Sequence, residues 1–121
     1  MIKQLKFVGI PTRDQEAALR FWTEKMGFEV ATDQPMGGGK RWIELAIPGA
    51  QTSISLFTPD EHENRIGTFF NGSFACDDVE HTYRVLSEKG VEFEAPPQKQ
   101  PWGSFAKFRD PDGNTFILSS R

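Results

Sequence analysis

The sequence predicts an α+β fold: two tandem βαβββ modules with a cleft shared by two similar sheets. The first observation behind this is an internal repeat. Residues 10–30 and 74–93 each read as a short apolar strand, an acidic helix start, an amphipathic helix, a glycine stop and a β-type run. Asp14 aligns with Asp78 at an offset of 64, and Gly27 with Gly90 at an offset of 63. A unit of about 60 residues, used twice, nearly fills the chain; repeats at a fixed period mark supersecondary units that bury their cores against one another. The second is that each copy carries apolar residues at helical spacing followed by alternating apolar residues at strand spacing. The third is the closing turn Asp110-Pro111-Asp112-Gly113, in which proline presets φ and glycine supplies the positive value. One domain over 1–121 is expected, with module one at about 1–58 and module two at about 68–121.

The elements follow in order. Leu5 to Ile10 is the first strand. Thr12 offers a helix N-cap, with Gln15 three residues on to complete a capping box. Gln15, Ala18, Leu19, Trp22 and Met26 trace one buried helix face, and Gly27 stops the helix. Phe28 to Thr32 is a strand, and Asp33 to Lys40 a loop loosened by three glycines. Arg41 to Ile47 and Thr52 to Phe57 are strands joined through Pro48-Gly49-Ala50. A polar loop, Pro59 to Gly67, leads to module two. There Thr68 to Cys76 is a strand, and Asp77 with Glu80 forms an acidic cap pair. Val79, Thr82, Tyr83 and Leu86 carry the inner helix face, and Gly90 ends it. Val91 to Glu94 is a strand, Ala95 to Gln100 a proline-bearing connection, and Gly103 to Arg109 with Asn114 to Ser119 the last hairpin.

Composition excludes several classes of function. The chain has 121 residues and a formal net charge of −3 with both signs interspersed, so no clustered basic face for nucleic acid is expected. Eleven Phe and three Trp supply bulky core material although only 37% of residues are hydrophobic. A single cysteine, Cys76, leaves no internal disulfide and no cysteine-rich zinc site. No stretch approaches the length of a membrane span, and the Lys-interrupted N-terminus is unlike a signal peptide. A cytoplasmic protein with a small-molecule partner is the expectation.

Alternation along the strands sorts side chains into two faces. Val8, Ile10, Ile43, Leu45, Ile47, Ile54 and Leu56 point to the first helix. That leaves Leu5, Phe7, Gly9, Trp42, Glu44, Ala46, Ser53, Ser55 and Phe57 opposite. In module two, Phe69, Asn71, Ser73, Ala75, Thr115, Ile117 and Ser119 face away from the helix, while Gly103 to Arg109 has no clear alternation. The cleft is thus aromatic and weakly polar, with one carboxylate, Glu44, as small-molecule pockets tend to be. Trp42 and Trp102 offer flat faces for stacking on a ligand, or else fill the cleft as core. Glu44 is a candidate general base if burial raises its pKa, or a strand carboxylate paired with Arg41 or Lys107. His62 and His81 read as solvated. Gly37-Gly38-Gly39-Lys40 is not a phosphate-binding loop, because its spacing fails and Arg41 stands where Ser or Thr would be needed.

The paired modules, the helix end ALRFWTEKMGF and the closing FRDPDGNTFIL resemble the vicinal oxygen chelate superfamily of glyoxalases, extradiol dioxygenases and bleomycin-resistance proteins. The resemblance implies a curved sheet around a cavity, commonly in a homodimer. It also implies four metal-ligand positions, which fall here on Phe7, Ser55, Asn71 and Ile117. Phe and Ile cannot coordinate, and Ser and Asn offer only neutral oxygens, so no metal and no cofactor are expected. Gln100-Pro101-Trp102-Gly103 is similar to segments of the metal-free bleomycin-resistance type. The expected function is therefore metal-independent small-molecule binding, through Phe7, Trp42, Glu44, Ser55, Phe57, Asn71, Trp102 and Ile117. The alternatives are a glyoxalase-like lyase or isomerase, or a dioxygenase-like enzyme with a degenerate or displaced metal site, and a subunit-interaction module whose cleft is filled by its own side chains.

Overall fold

The computed structural model describes residues 1–68 and 72–120. The chain divides into two compact units, Met1–Glu63 and Asn64–Arg121. The fold class is α+β, with mixed sheets and, among the described residues, one α-helix in each unit.

In unit one, β1 (Phe7–Pro11) is followed by α1 (Gln15–Arg20), which runs into a π-helical turn over Phe21–Lys25. Strands β2 (Glu29–Gly37), β3 (Lys40–Ala46) and β4 (Ser53–Phe57) complete it. The sheet order is β1-β4-β3-β2, with β1 parallel to β4 and the other pairs antiparallel. Ile10, Ile43, Leu45, Ile54 and Leu56 are buried on one face of the sheet together with Ala18, Phe21 and Trp22 of the helix. Val8, expected with them, is exposed, although Ile10 on the same face of β1 is buried.

Several boundaries differ from the sequence expectations. The N-cap is Asp14, not Thr12: its Oδ1 accepts from the Glu16 and Ala17 amides at 3.1 Å each. Thr12 instead accepts from the Asp14 amide, and Gln15 is turned inward rather than back to a cap. The π-helical turn bonds the Met26 amide to the Phe21 carbonyl at 3.2 Å. This wider turn buries Phe21 beside the expected Trp22, whereas Leu19 and Met26, which regular helical spacing also put on that face, are only half-buried. Asp33 to Gly37 is not loop but the second half of β2, tied to β3 through Asp33–Ile43, Gln34–Trp42 and Pro35–Arg41 pairs. Irregularities between Val30 and Thr32 and between Pro35 and Gly37 accommodate the proline, which an edge strand tolerates. The glycines serve the hairpin tip, with φ of 94°, 64° and 78° at Gly37, Gly38 and Gly39.

Unit two repeats the pattern with β5 (Gly72–Ala75), α2 (Val79–Glu88), β6 (Glu92–Phe93), β7 (Gln98–Gln100), β8 (Gly103–Arg109) and β9 (Thr115–Ser119). The order is β5-β9-β8-β6, with β7 also paired to β8. The expected strand start from Thr68 reaches positions 69–71, outside the described residues. Asp78 caps α2 by accepting from the His81 amide at 3.1 Å, so the expected Asp77–Glu80 pair is displaced by one residue. The connection after β6 contains a short strand of its own, β7, pairing Gln98 with Phe105. The alternation left open in β8 is resolved: Ala106 and Phe108 are buried with Phe116 and Leu118, and Phe105, Lys107 and Arg109 occupy the other face.

The closing turn is held by a buried network. Asp110 accepts from the amides of Asp112 at 3.0 Å and Asn114 at 2.9 Å, and from Asn114 Nδ2 at 3.0 Å. Asn114 Oδ1 in turn accepts from the Gly67 amide at 3.1 Å. Burial raises the Asp110 carboxyl to about 6, outweighing the bonds from Asn114 that favour the charged form.

Candidate functional site

The sheet of unit one opens at one end. The β3–β4 ladder ends at the Ile43–Leu56 pair. Beyond it the side chain of Gln15 bridges the strands. Its Nε2 donates to the carbonyls of Arg41 at 2.7 Å and Leu56 at 2.9 Å, and its Oε1 accepts from the Arg41 amide at 3.0 Å. A primary amide carries both donor and acceptor, so one side chain stands in for a missing rung of the ladder.

At this splayed end lies a pocket of about 520 Å³. Its apolar wall is Phe7, Trp42, Phe57 and Met36, with Gly9 and Ser55 between them. Phe7 and Trp42 meet edge to face, with ring centroids 5.4 Å apart. Phe57, 38% exposed, lies against β1, and a Cβ on Gly9 would stand 3.0 Å from its Cε1. The missing side chain at Gly9 is therefore what lets the Phe57 ring lie where it does. The polar rim is Gln15, Lys40, Arg41, Thr58 and Asp60.

The rim charges are paired. Arg41 Nε and Nη2 grip the Asp33 carboxylate at 3.0 and 2.7 Å, and Nη1 reaches Glu16 at 2.9 Å. Asp33 is accordingly held below the usual carboxylate range by its bond from Arg41, and Arg41 is raised by its bonds to Asp33 and Glu16. Lys40 Nζ forms an ion pair with Asp60 and donates to the Thr58 carbonyl at 3.3 Å.

Four of the residues expected to face a ligand, Phe7, Trp42, Ser55 and Phe57, thus line one pocket. Glu44 occupies the same sheet face beside Ser55 but is not part of the lining. Arg41, one of its expected partners, pairs with Asp33 and Glu16 instead, and the Glu44 Oε2 accepts from Ser53 Oγ at 2.9 Å. In unit two, Trp102 sits in the turn before β8, 55% exposed and stacked on Phe105 at 5.9 Å. Ile117 pairs with Ser73 and Lys107 on the sheet face opposite α2. Asn71 lies outside the described residues. Gln15, Met36, Lys40 and Asp60 were not expected at a site, because their approach depends on the β2–β3 hairpin and on the splayed strands.

The donors do not fit a divalent ion at the positions the resemblance supplies. Phe7 and Ile117 carry no ligating atom, and Ser55 offers one neutral hydroxyl on a strand already hydrogen-bonded on both sides. Among the described residues no three His, Cys, Asp or Glu side chains converge. Nor is any described helix long and apolar enough to cross a membrane.

Comparison with known proteins places this geometry in a family. Residues 4–118 match the model of the Glyoxalase/Bleomycin resistance protein/Dioxygenase superfamily. The uncharacterized protein YetH of Bacillus subtilis (strain 168) is 39% identical over 118 residues, 98% of either chain. A crystal structure of a member of the superfamily from Sphaerobacter thermophilus DSM 20745 superposes with a TM-score of 0.87 at 33% identity, covering 99% of this chain and 98% of that one. TnmS3, an antibiotic binding protein from Streptomyces sp. CB03234, gives a TM-score of 0.83 at 34% identity over 98% and 96% of the two chains. The chain belongs to the glyoxalase/bleomycin resistance protein/dioxygenase superfamily.

Proposed function

We propose that this protein binds a small aromatic molecule in the unit-one pocket and does so without a metal. The observation that carries the reading is the pocket itself: about 520 Å³, walled by Phe7, Trp42 and Phe57, and holding at two of the positions that the resemblance assigns to metal ligands only Phe7 and the neutral hydroxyl of Ser55. Aromatic walls offer large contact area at little conformational cost, which suits a flat guest. The likeness to the antibiotic binding protein TnmS3 supports a role in sequestration rather than turnover. Glu44, bonded to Ser53 and set outside the pocket lining, has no place in this reading as a base.

The test uses 2-naphthamide, a neutral flat probe. Titration followed by NMR should give saturable one-site binding, with the Trp42 indole resonance shifted, and Trp42→Ala should weaken it at least about fivefold, since stacking on one aromatic face is worth about 1 kcal/mol or more. Elemental analysis after incubation with Ni²⁺, Zn²⁺, Fe²⁺ and Mn²⁺ should find no stoichiometric ion; one tightly held ion per chain would overturn the metal-free reading. We also propose a homodimer, for which sedimentation should report twice the 13.7 kDa chain mass.

A further inference from the structure

The rim of the pocket is asymmetric in a way that bears on what it holds. Two cations, Lys40 and Arg41, and one carboxylate, Asp60, line it. Arg41 is committed, gripped by Asp33 and Glu16 through three of its nitrogens. Lys40 is not. Its side chain is 34% exposed, whereas its partner Asp60 is 82% exposed on the segment after β4. The hairpin tip Gly37-Gly38-Gly39, all in the left-handed region, sets Lys40 at the first position of β3, and the Thr58 carbonyl steadies its ammonium.

Partner exchange at such a pair is governed by hydration. Releasing Asp60 moves an already wet carboxylate fully into water at small cost. Releasing Lys40 instead leaves the more enclosed charge without a counterion, which costs more. The exchange that is cheap replaces Asp60 with an anion brought by the guest. Resting on the reading of this pocket as an aromatic-ligand site, we propose that its ligands are flat aromatic acids: the ring packs against Phe7, Trp42 and Phe57, and a carboxylate or phenolate takes the place of Asp60 on Lys40 Nζ.

Three probes of one shape and different charge test this: 2-naphthoate, 2-naphthamide and 2-naphthylmethylammonium, titrated at low salt into the full chain. The naphthoate should bind about fivefold tighter than the amide, the scale of a partly exposed ion pair, and the advantage should shrink as salt is added. Lys40→Gln should erase the difference between naphthoate and amide, while Lys40→Arg preserves it. Asp60→Asn, which removes the competitor, should strengthen naphthoate binding further. A preference for the ammonium probe, or a naphthoate advantage that survives Lys40→Gln, would overturn the proposal while leaving the aromatic pocket standing. If the amide itself does not bind, the pocket reading fails and this one fails with it.

Discussion

Gly67 has a φ of 79° and presents its amide to Asn114, and a Cβ added there would overlap the carbonyl oxygen of Asp112. Strain and clash add, because the obstacle is backbone and cannot swing aside. Gly67→Ala should therefore cost about 3 kcal/mol, read as a lower midpoint in denaturant unfolding. Gly9 differs. The atom in the way is the ring edge of Phe57, which is partly exposed and free to shift by a few tenths of an ångström. Gly9→Ala should change stability by less than about 1 kcal/mol, yet narrow the pocket and weaken the 2-naphthamide complex. Asp110 carries a strongly displaced carboxyl, at about 6 against an ordinary 3.8. A raised carboxyl pKa means that the native state holds its proton more tightly than the unfolded chain. Its contribution to stability is then complete below about pH 4 and is lost as pH rises through about 6, the reverse of a salt-bridged carboxylate. Carbon-detected NMR of the Asp110 carboxyl should show that midpoint, and a midpoint below 4 would contradict the burial that causes it.

At the scale of elements, Asp14 and Asp78 cap the two helices in nearly the same backbone conformation, φ −139° and ψ 99° against φ −137° and ψ 101°. Replacing either with Ala should lower stability by about 1 kcal/mol, with the loss expressed as faster amide exchange in the first turn of its own helix. The repeat in the sequence aligns these two aspartates, while local cap patterns favour Thr12 and Asp77. Acceptors at adjacent positions all satisfy a short pattern, and only the backbone decides among them; the repeat integrates more of the chain. The core faces were legible for the same reason, since Ile43, Leu45, Ile54 and Leu56 alternate strictly. β2 was not legible beyond Thr32, because Pro35 and three glycines carry turn signals that pairing with β3 overrides. The aromatic wall of the pocket follows from alternation alone. Its polar rim does not, because Gln15 faces a gap that exists only once β3 and β4 diverge. Gln15→Leu fills the same space but strips partners from one amide and two carbonyls, and should cost about 2 kcal/mol in thermal or chemical unfolding.

At the scale of the molecule, each unit builds a parallel strand pair, β1 with β4 and β5 with β9, around one helix and completes it with antiparallel strands. The two copies diverge after their helices. Unit one keeps β2 as a single strand of 9 residues, whereas unit two breaks the corresponding stretch into β6 and β7 around Pro96 and Pro97. The long version carries the hairpin that brings Met36 and Lys40 to the pocket, so the asymmetry between the copies supplies part of the pocket lining in unit one. It also creates a hazard. β2 is the outer strand of its sheet, largely exposed, and its free edge is a template on which another chain could add. Pro35 removes an amide donor from that edge, and the two register shifts bend it out of line. Pro35→Val should leave the fold and the pocket intact and raise the rate of thioflavin-positive aggregation on incubation near the unfolding midpoint. The proline that disguises β2 as a loop thus acts as a guard against self-association into fibres.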